Sequence, residues 1–213
     1  MNILHICANP RPIEESASKQ LAAAFISKLI SLNPEVTVEN IDLYQESQPP
    51  YLSLDAYRRC WMPVLDPAYE PNKKEEMAIN YASKQAEKFR QADVLVLTMP
   101  MWNGGPPAII KAWLDQVINP GIAYEHTAEG IKPLHQLRKV VLLVASGDVY
   151  KEGDPRDGIT PIINNAFGVI GVTDIETAWA DGQNSLVYSD SEERKQFAIE
   201  AAEEIAEDLA GQP

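Results

Sequence analysis

The chain has 213 residues, which is enough for one α/β domain with a complete hydrophobic core. Its 18 basic and 31 acidic residues give a net charge of −13 without a basic stripe, so we expect no nucleic-acid binding because phosphates would be repelled. No apolar run approaches the roughly 20 residues that span a bilayer, and no charged leader typical of a signal peptide is seen. We predict a single domain over residues 1–213, in the cytoplasm and without a membrane span.

Short apolar runs alternate with helical patterns along the chain. Strands are predicted over residues 2–8, 36–43, 94–98, 139–146 and 173–179, and helices over residues 16–32, 73–90, about 106–117 and 191–209, with a loop running into a helix over 154–168. Cys7 in the first strand is expected to be a buried small hydrophobe. Residues 44–72 form a long connection, which suggests a lid or a subunit contact.

Two helices have apolar stripes that predict their buried faces. The helix over residues 73–90 offers Met77, Tyr81 and Phe89 as core contacts. The closing helix repeats apolar residues four apart, at Phe197, Ala201, Ile205 and Leu209. We predict that these residues pack against the sheet.

Several common site motifs are missing from the sequence. The chain contains no G-x-G-x-x-G dinucleotide fingerprint, no P-loop, no C-x-x-C and no G-x-S-x-G elbow. His5, His126 and His135 are not spaced as metal ligands, so we predict no metal site. A parallel sheet without the usual nucleotide motifs fits a flavodoxin-like fold, which binds a phosphate through hydroxyls and backbone amides. We therefore predict a doubly wound, five-stranded sheet in the order 2-1-3-4-5, with helices on both faces.

The first candidate loop follows the first strand and starts at Asn9. It leads into a helix at Ser16, Ala17 and Ser18, where free N–H groups and two hydroxyls could bind an anion. Ser16 could instead be only the N-cap of that helix. Glu14 and Glu15 would oppose a phosphate, so we expect them to point away.

Two further loops fall at the same edge of the predicted sheet, because carboxyl ends of parallel strands share one edge. One contains Pro100, Met101, Trp102, Asn103 and Gly104, and the alternative interpretation is a Gly-rich turn before a helix that begins near Pro106. The other contains Ala145, Ser146, Gly147 and Asp148, and could be an ordinary turn between a strand and a helix. The convergence of all three loops favours a ligand site over three unrelated turns.

The chain resembles the FMN-dependent NADH-azoreductases and NAD(P)H:quinone oxidoreductases of the flavodoxin-like fold. The resemblance runs from the first strand to about Gly182 and rests on several motifs: Ser16-Ala17-Ser18, Pro100-Met101-Trp102-Asn103, Gly121-Ile122-Ala123-Tyr124, Gly130, Ser146-Gly147, Lys151-Glu152-Gly153-Asp154-Pro155 and Phe167-Gly168-Val169-Ile170-Gly171-Val172. It implies a flavoprotein, with FMN favoured over FAD by the short serine loop. It also implies a homodimer with two sites at the subunit interface.

By this resemblance, the three loops together form the cofactor site. Ser16 and Ser18 would bind the FMN phosphate, Met101, Trp102 and Asn103 would hold the isoalloxazine, and residues 145–148 would contact its pyrimidine edge. The full predicted set is Asn9, Ser16, Ala17, Ser18, Pro100, Met101, Trp102, Asn103, Gly104, Ala145, Ser146, Gly147 and Asp148. The chain departs from the family in having Gly104 where an aromatic residue is frequent, and Ala145 to Asp148 where the family often has Ser-Arg-Gly-Gly.

The resemblance implies that NADH or NADPH passes a hydride to flavin N5 and leaves, after which a quinone or azo compound takes its place and accepts the electrons. A backbone N–H near Asn103 or Gly104 would tune N5. Those around Ser146 and Gly147 would stabilise negative charge near N1 and O2. The scarcity of arginines near the site favours NADH over NADPH.

Aromatic side chains are candidates for the acceptor pocket. Trp102 and Tyr150, with Tyr57 or Trp61 from the long connection, could form its walls, although core or interface packing is the favoured interpretation of Tyr57 and Trp61. His126 is either a proton donor to the acceptor or a histidine of a surface turn. Asp148 could meet the substrate or orient a loop amide.

Two other functions fit the same fold. A non-enzymatic, flavodoxin-like electron carrier would use the acidic surface to dock on basic redox partners. A flavin-free regulatory or structural protein would keep only the sheet. Flavin retention followed by steady NADH oxidation with a quinone separates the three.

Overall fold

In the computed structural model, which describes residues 1–45, 48–151 and 153–211, the chain is built around a parallel sheet. The strands are β1 (Asn2–Cys7), β2 (Thr37–Asp42), β3 (Val94–Pro100), β4 (Tyr124–Thr127), β5 (Gly130–Pro133), β6 (Lys139–Ala145) and β7 (Ile175–Ala180). Glu152 of the third-loop motif lies outside the described residues, as do Glu46 and Ser47 of the long connection and Gln212 and Pro213 of the predicted domain.

Five of these strands form the sheet, in the order β2-β1-β3-β6-β7, and every pairing in it is parallel. The predicted class and the five-stranded parallel sheet are therefore confirmed. The strand order differs in detail from the predicted 2-1-3-4-5, because β4 and β5 form a separate antiparallel hairpin that precedes β6. The sequence prediction missed this hairpin because its strands are short, mostly exposed and without an apolar run.

Helices cover both faces of the sheet, as predicted. They are α1 (Ala17–Leu32), α2 (Leu54–Leu65), α3 (Lys73–Ala78), α4 (Asn80–Gln91), α5 (Ala108–Val117), α6 (Thr160–Val169) and α7 (Ser191–Ala210). Phe25 of α1 and Ala202 of α7 belong to the core on one face. Phe89, Trp113 and Phe167, from α4, α5 and α6, belong to the core on the other. None of the helices in the described part of the chain is both long and apolar enough to cross a membrane.

Two segments depart from the sequence prediction in their helices. The long connection over residues 44–72 contains α2, and the predicted helix over 73–90 is broken at Ile79 into α3 and α4. Met77 is 69% exposed and is not a core residue, whereas Phe89 is fully buried and Tyr81 is half-buried. Met77 is displaced because α3 turns a polar capping box inward, in which the buried Glu75 accepts the backbone N–H of Asn72 at 3.0 Å.

The buried stripe of α7 is one residue away from the predicted one. Phe197 is 60% exposed, and the buried residues of the helix include Ala198, Ala202, Ala206 and Leu209. α7 packs against α1 through this alanine face. Small side chains allow two helices to approach closely, so the three alanines are buried together with Leu209, whereas the bulky Phe197 is not.

The parallel sheet brings four connections to one edge. In β1, Cys7 pairs with Thr98 of β3, and Ala145 of β6 pairs with both Pro100 and Ala180. The chain therefore leaves β1, β3, β6 and β7 at the same edge, which is where open α/β sheets bind ligands. Cys7 itself is buried with a free thiol, as predicted.

Candidate functional site

A cleft of about 400 Å³ lies at this carboxyl edge of the sheet. Its lining includes nine of the thirteen predicted cofactor residues: Asn9, Ser16, Ala17, Pro100, Met101, Trp102, Ala145, Ser146 and Gly147. The structure thus brings the three predicted loops together in one cavity. The other four predicted residues, Ser18, Asn103, Gly104 and Asp148, do not line it.

The serine loop forms a compact set of hydrogen-bond donors. Asn9 Nδ2 donates to Ser16 Oγ at 2.7 Å and to Ser18 Oγ at 3.1 Å, and its Oδ1 accepts the N–H of Arg11 at 3.1 Å, which fixes the orientation of the amide. Ser16 Oγ also accepts the N–H of Lys19 at 3.2 Å, as an N-cap does. With both lone pairs engaged, the Ser16 hydroxyl can only donate its hydrogen, either to Ser18 Oγ at 3.3 Å or to a group bound in the cleft.

The start of α1 adds backbone donors to this cluster. Neither the N–H of Ala17 nor that of Ser18 has an acceptor among the described residues, as expected for the first turn of a helix. Such N–H groups and the helix dipole together favour an anion. The first loop therefore combines an N-cap with donors of the kind that bind anions, and the two interpretations of Ser16 do not exclude each other.

Two predictions about this loop need correction. Ser18 is completely buried and its hydroxyl lies against Asn9 and Ser16, so it supports the donor cluster from behind without lining the cleft. Glu14 and Glu15, which were expected to point away, both contribute to the lining of the cleft. The chain tolerates Glu15 there by pairing it with Arg11, at 3.8 Å between Nε and Oε2.

The second loop is a tight two-residue hairpin. The N–H of Trp102 donates to Gly105 O at 2.9 Å, and the N–H of Gly105 donates to Trp102 O at 3.1 Å. Between them, Asn103 has φ +51° and Gly104 has φ +77°, the two positive values of a type I′ turn, which favours Asn-Gly. This turn leaves Trp102 41% exposed at the cleft and leaves the N–H groups of Asn103 and Gly104 without an acceptor among the described residues.

A glycine from the segment before α6 locks this hairpin. The N–H of Gly158 donates to Gly104 O at 3.0 Å. A Cβ added at Gly158 would lie 2.2 Å from that same oxygen, so no other residue fits without moving the backbone. Sequence reasoning missed Gly158, since a single glycine in a loop gives no signal about a contact more than fifty residues away.

The third loop is held by hydrogen bonds within the protein. Ser146 Oγ donates to Asp148 O at 2.8 Å and accepts from Trp179 Nε1 at 2.8 Å. The N–H of Ser146 donates to Ala180 O at 3.0 Å, so it is not free to stabilise a ligand as predicted. Gly147 lines the cleft, and its N–H has no acceptor among the described residues.

Most of the predicted acceptor-pocket residues lie away from the cleft. Tyr150 stacks on Trp179 with ring centroids 5.3 Å apart and carries the guanidinium of Arg156 at 4.9 Å, so its ring is engaged within the protein. Hydrogen bonds from Arg156 lower the pKa of Asp154 to about 2, so the Asp154 carboxylate stays ionised and holds Arg156 in place. Only Trp102 of the predicted pocket lines the cleft.

The other three aromatic candidates form a cluster between α2 and the β4–β5 hairpin. Trp61 lies 6.5 Å from Tyr57 and 5.9 Å from His126, measured between ring centroids, and its Nε1 donates to Asn119 Oδ1 at 3.2 Å. None of the three lines the cleft. In the single chain, Trp61 is half-buried against a small hydrophobic cluster, whereas Tyr57 is 41% exposed.

The structure adds cleft residues that sequence reasoning did not single out. Gln183 and Asn184 follow β7, while Glu192 and Lys195 come from the first turns of α7. Their position in the sequence could have revealed Gln183 and Asn184, since polar residues directly after the last strand lie at the same sheet edge as the other loops. Lys195 Nζ pairs with Glu192 Oε2 at 2.7 Å. Within the described residues, no group of His, Cys, Asp and Glu is arranged to hold a metal ion.

Comparison with known protein families agrees with this fold and cleft. The family described as having a flavodoxin-like fold matches residues 1–206 of the chain. Because the match covers nearly the whole chain, the protein belongs to this family.

Within this family, the chain is similar to proteins that are named as quinone oxidoreductases and azoreductases. The chain is 32% identical over 187 residues to FMN-dependent NADH:quinone oxidoreductase 1 of Bacillus licheniformis, covering 86% of this chain and 88% of that protein. It is 31% identical over 184 residues to the FMN-dependent NADH:quinone oxidoreductase of Beijerinckia indica, covering 85% and 88%. A crystal structure of azoreductase from Bacillus anthracis matches with a TM-score of 0.83 at 28% identity, covering 97% and 98% of the two chains. The resemblance inferred from the loops is thereby confirmed.

Proposed function

We propose that this protein is an FMN-dependent NADH:quinone oxidoreductase that also accepts azo compounds. One observation carries the proposal: the donor cluster at the start of α1 and the exposed face of Trp102 line the same cleft. The donor cluster can bind a phosphate, and the exposed face of Trp102 can contact an aromatic ring system. The names of the relatives support the same activity.

The donor set fits the phosphate of FMN. The Ser16 hydroxyl and the first-turn N–H groups of α1 would hold the phosphate, with Asn9 and Ser18 fixing the hydroxyl in place. Met101 and Trp102 would lie against the ring system, and the Gly147 N–H would meet its pyrimidine edge. The names of the relatives, which are FMN-dependent enzymes, support FMN over FAD.

Charge at the cleft supports NADH over NADPH. The 2′-phosphate of NADPH normally requires a basic partner. The two basic residues of the cleft are already paired, Arg11 with Glu15 at 3.8 Å and Lys195 with Glu192 at 2.7 Å. An additional phosphate would therefore compete with these carboxylates for the same cations.

When bound, FMN supplies the hydride and electron-transfer chemistry between NADH and the acceptor. The residues of the chain bind and orient, since no acid–base pair is required of them. Trp102 offers one exposed aromatic surface, so donor and acceptor would use the same cleft in turn, in a ping-pong sequence. Parallel double-reciprocal plots at several quinone concentrations would test this order.

We also propose a homodimer formed from single-domain chains in the cytoplasm. α2 exposes Leu54, Tyr57 and Leu65, and this apolar surface supports a subunit contact at the long connection. The two cysteines are free thiols, as suits a reducing compartment. Analytical ultracentrifugation tests the dimer: Leu65→Glu should shift the wild-type dimer to monomer, and a monomeric wild type would contradict the proposal.

The activity is tested by absorbance spectra of the purified protein after addition of FMN and desalting. We expect flavin to be retained, to bleach when NADH is added anaerobically, and to recolour when a quinone follows. Retained flavin that NADH does not reduce would favour the electron carrier. Protein that retains no flavin would leave the fold intact and refute the proposed function.

A further inference from the structure

The loop after β6 is held by the segment after β7 through three consecutive carbonyl groups. Ser146 O accepts the N–H of Gln183 at 2.9 Å, Gly147 O accepts that of Asn184 at 3.2 Å, and Asp148 O accepts that of Gly182 at 3.0 Å. All three carbonyls of residues 146–148 are therefore directed at residues 182–184.

This arrangement fixes the direction of the amide hydrogens. In a planar trans peptide, the C=O of one residue and the N–H of the next point to opposite sides. The N–H of Gly147 is therefore directed away from residues 182–184. Gly147 lines the cleft, and neither its N–H nor that of Asp148 has an acceptor among the described residues. The loop thus presents unused donors on the side away from its anchoring segment.

One side chain ties the two segments together at the start of the loop. Trp179, the penultimate residue of β7, donates from Nε1 to Ser146 Oγ at 2.8 Å, which directs the Ser146 hydroxyl hydrogen to Asp148 O at 2.8 Å. The ring of Tyr150 stacks on Trp179 at 5.3 Å, and the Tyr150 N–H donates to Asp181 Oδ2 at 3.1 Å. The loop is therefore anchored at both ends by the same pair of rings.

We propose that Trp179 is a positioning residue for the flavin: through Ser146 it holds residues 146–148 so that the Gly147 N–H faces the pyrimidine edge of the cofactor. This inference rests on the proposed function. Reduction adds negative charge at that edge, so a well-aligned N–H donor favours the reduced cofactor over the oxidised one. Trp179 touches neither cofactor nor substrate in this scheme and acts only through the loop.

The test is the ratio of the Kd values for reduced and oxidised FMN, obtained from apoprotein titration with oxidised FMN and the midpoint potentials of free and bound flavin. Trp179→Phe keeps an aromatic ring for Tyr150 and removes the N–H. Misalignment of a hydrogen bond to a charged group should raise the ratio about tenfold, which is a midpoint potential about 30 mV lower for a two-electron couple. Ser146→Ala should have the same effect, and the double variant no more than either alone.

Trp113→Phe is the matched control. Its Nε1 donates to Gln85 Oε1 at 3.2 Å inside the core, so its loss should lower stability without changing the Kd ratio. An unchanged ratio in both Trp179→Phe and Ser146→Ala, with FMN still bound, would overturn the positioning role and leave the proposed function standing. Additive effects in the double variant would also overturn it, because Trp179 would then not act through Ser146. If Trp179→Phe does not fold, Ser146→Ala decides alone, and a wild type that binds no FMN overturns both proposals.

Discussion

Substitutions at Ser16 can separate the two roles that its hydroxyl holds at the start of α1. The oxygen accepts the Lys19 N–H at 3.2 Å, which caps the helix, and the Asn9 amide at 2.7 Å. Its hydrogen can be donated to Ser18 Oγ at 3.3 Å or into the cleft, where we place the phosphate of FMN. Ser16→Ala removes both roles, whereas Ser16→Asp keeps an N-cap acceptor and puts a negative charge where the phosphate would bind.

The expected magnitudes follow from these contacts. Ser16→Ala should lose one charge-assisted hydrogen bond, about 1.5–3 kcal/mol of FMN binding, and about 1 kcal/mol of folding stability from the lost cap. Ser16→Asp should keep most of the stability but weaken binding further, since two unit charges about 4 Å apart repel by about 4 kcal/mol at an effective dielectric of 20. Ser18→Ala should mainly reduce stability, because the fully buried hydroxyl is an acceptor for the Asn9 amide.

Two measurements on each variant test these predictions. FMN titration of the apoprotein by fluorescence quenching gives the FMN affinity, and urea unfolding of the apoprotein gives the folding stability. Ser31→Ala is the matched control, since this exposed serine lies on the same helix and donates only to Lys28 O. It should change neither quantity appreciably. Wild-type FMN affinity in Ser16→Asp would refute the phosphate assignment, and a large stability loss in the same variant would refute the cap argument.

Three further predictions concern the turn beside the cleft and two histidines, the buried His5 and the half-buried His135. Gly158→Ala should destabilise the protein by about 1–3 kcal/mol or more and weaken FMN binding, since its Cβ would lie 2.2 Å from a backbone oxygen; Gly168→Ala, with open space in α6, should instead stabilise by about 0.5–1 kcal/mol in the same urea assay. Asn103→Ala should lose about 1–2 kcal/mol because of its positive φ, whereas Asn103→Gly should be close to neutral; equal stabilities would contradict the turn assignment. Burial lowers the pKa of His5 and of His135, so the unfolded chain takes up protons at a higher pH than the folded one, and the free energy of unfolding should fall as the pH drops through about 6.5. His5→Gln should reduce the slope of the free energy of unfolding against pH by up to about 1.4 kcal/mol per pH unit. An unchanged slope would exclude His5 as a contributor.

The fold could be predicted from the sequence because its central strands are buried on both faces. The uninterrupted apolar runs in β3 and β6 follow directly from that burial, and helical periodicity between the strands implies parallel crossovers. The β4–β5 hairpin escaped prediction for the opposite reason: its strands are mostly exposed, so the hydrophobic pattern that reports burial is weak in them. The helix α2 escaped prediction because it contains Pro63 and lies in a segment rich in proline, a residue that disfavours helix interiors. The sequence pattern did not reveal the buried alanine face of α7, because tight helix packing selects small residues over large apolar ones.

The sequence by itself also determined where the site had to be. Polar and Gly-rich loops after β1, β3 and β6 must meet, since parallel strands end at a common edge. Only the tertiary structure decided which groups in those loops are free to act. The sequence predicts that Ser18 and Ser146 contact the cofactor, yet their hydroxyls are engaged within the protein, while Glu14 and Glu15 contribute to the lining of the cleft. Hydrogen-bond partners distant in the chain, such as Trp179 for Ser146, leave no local trace in sequence, because they depend on how separate strands pack side by side.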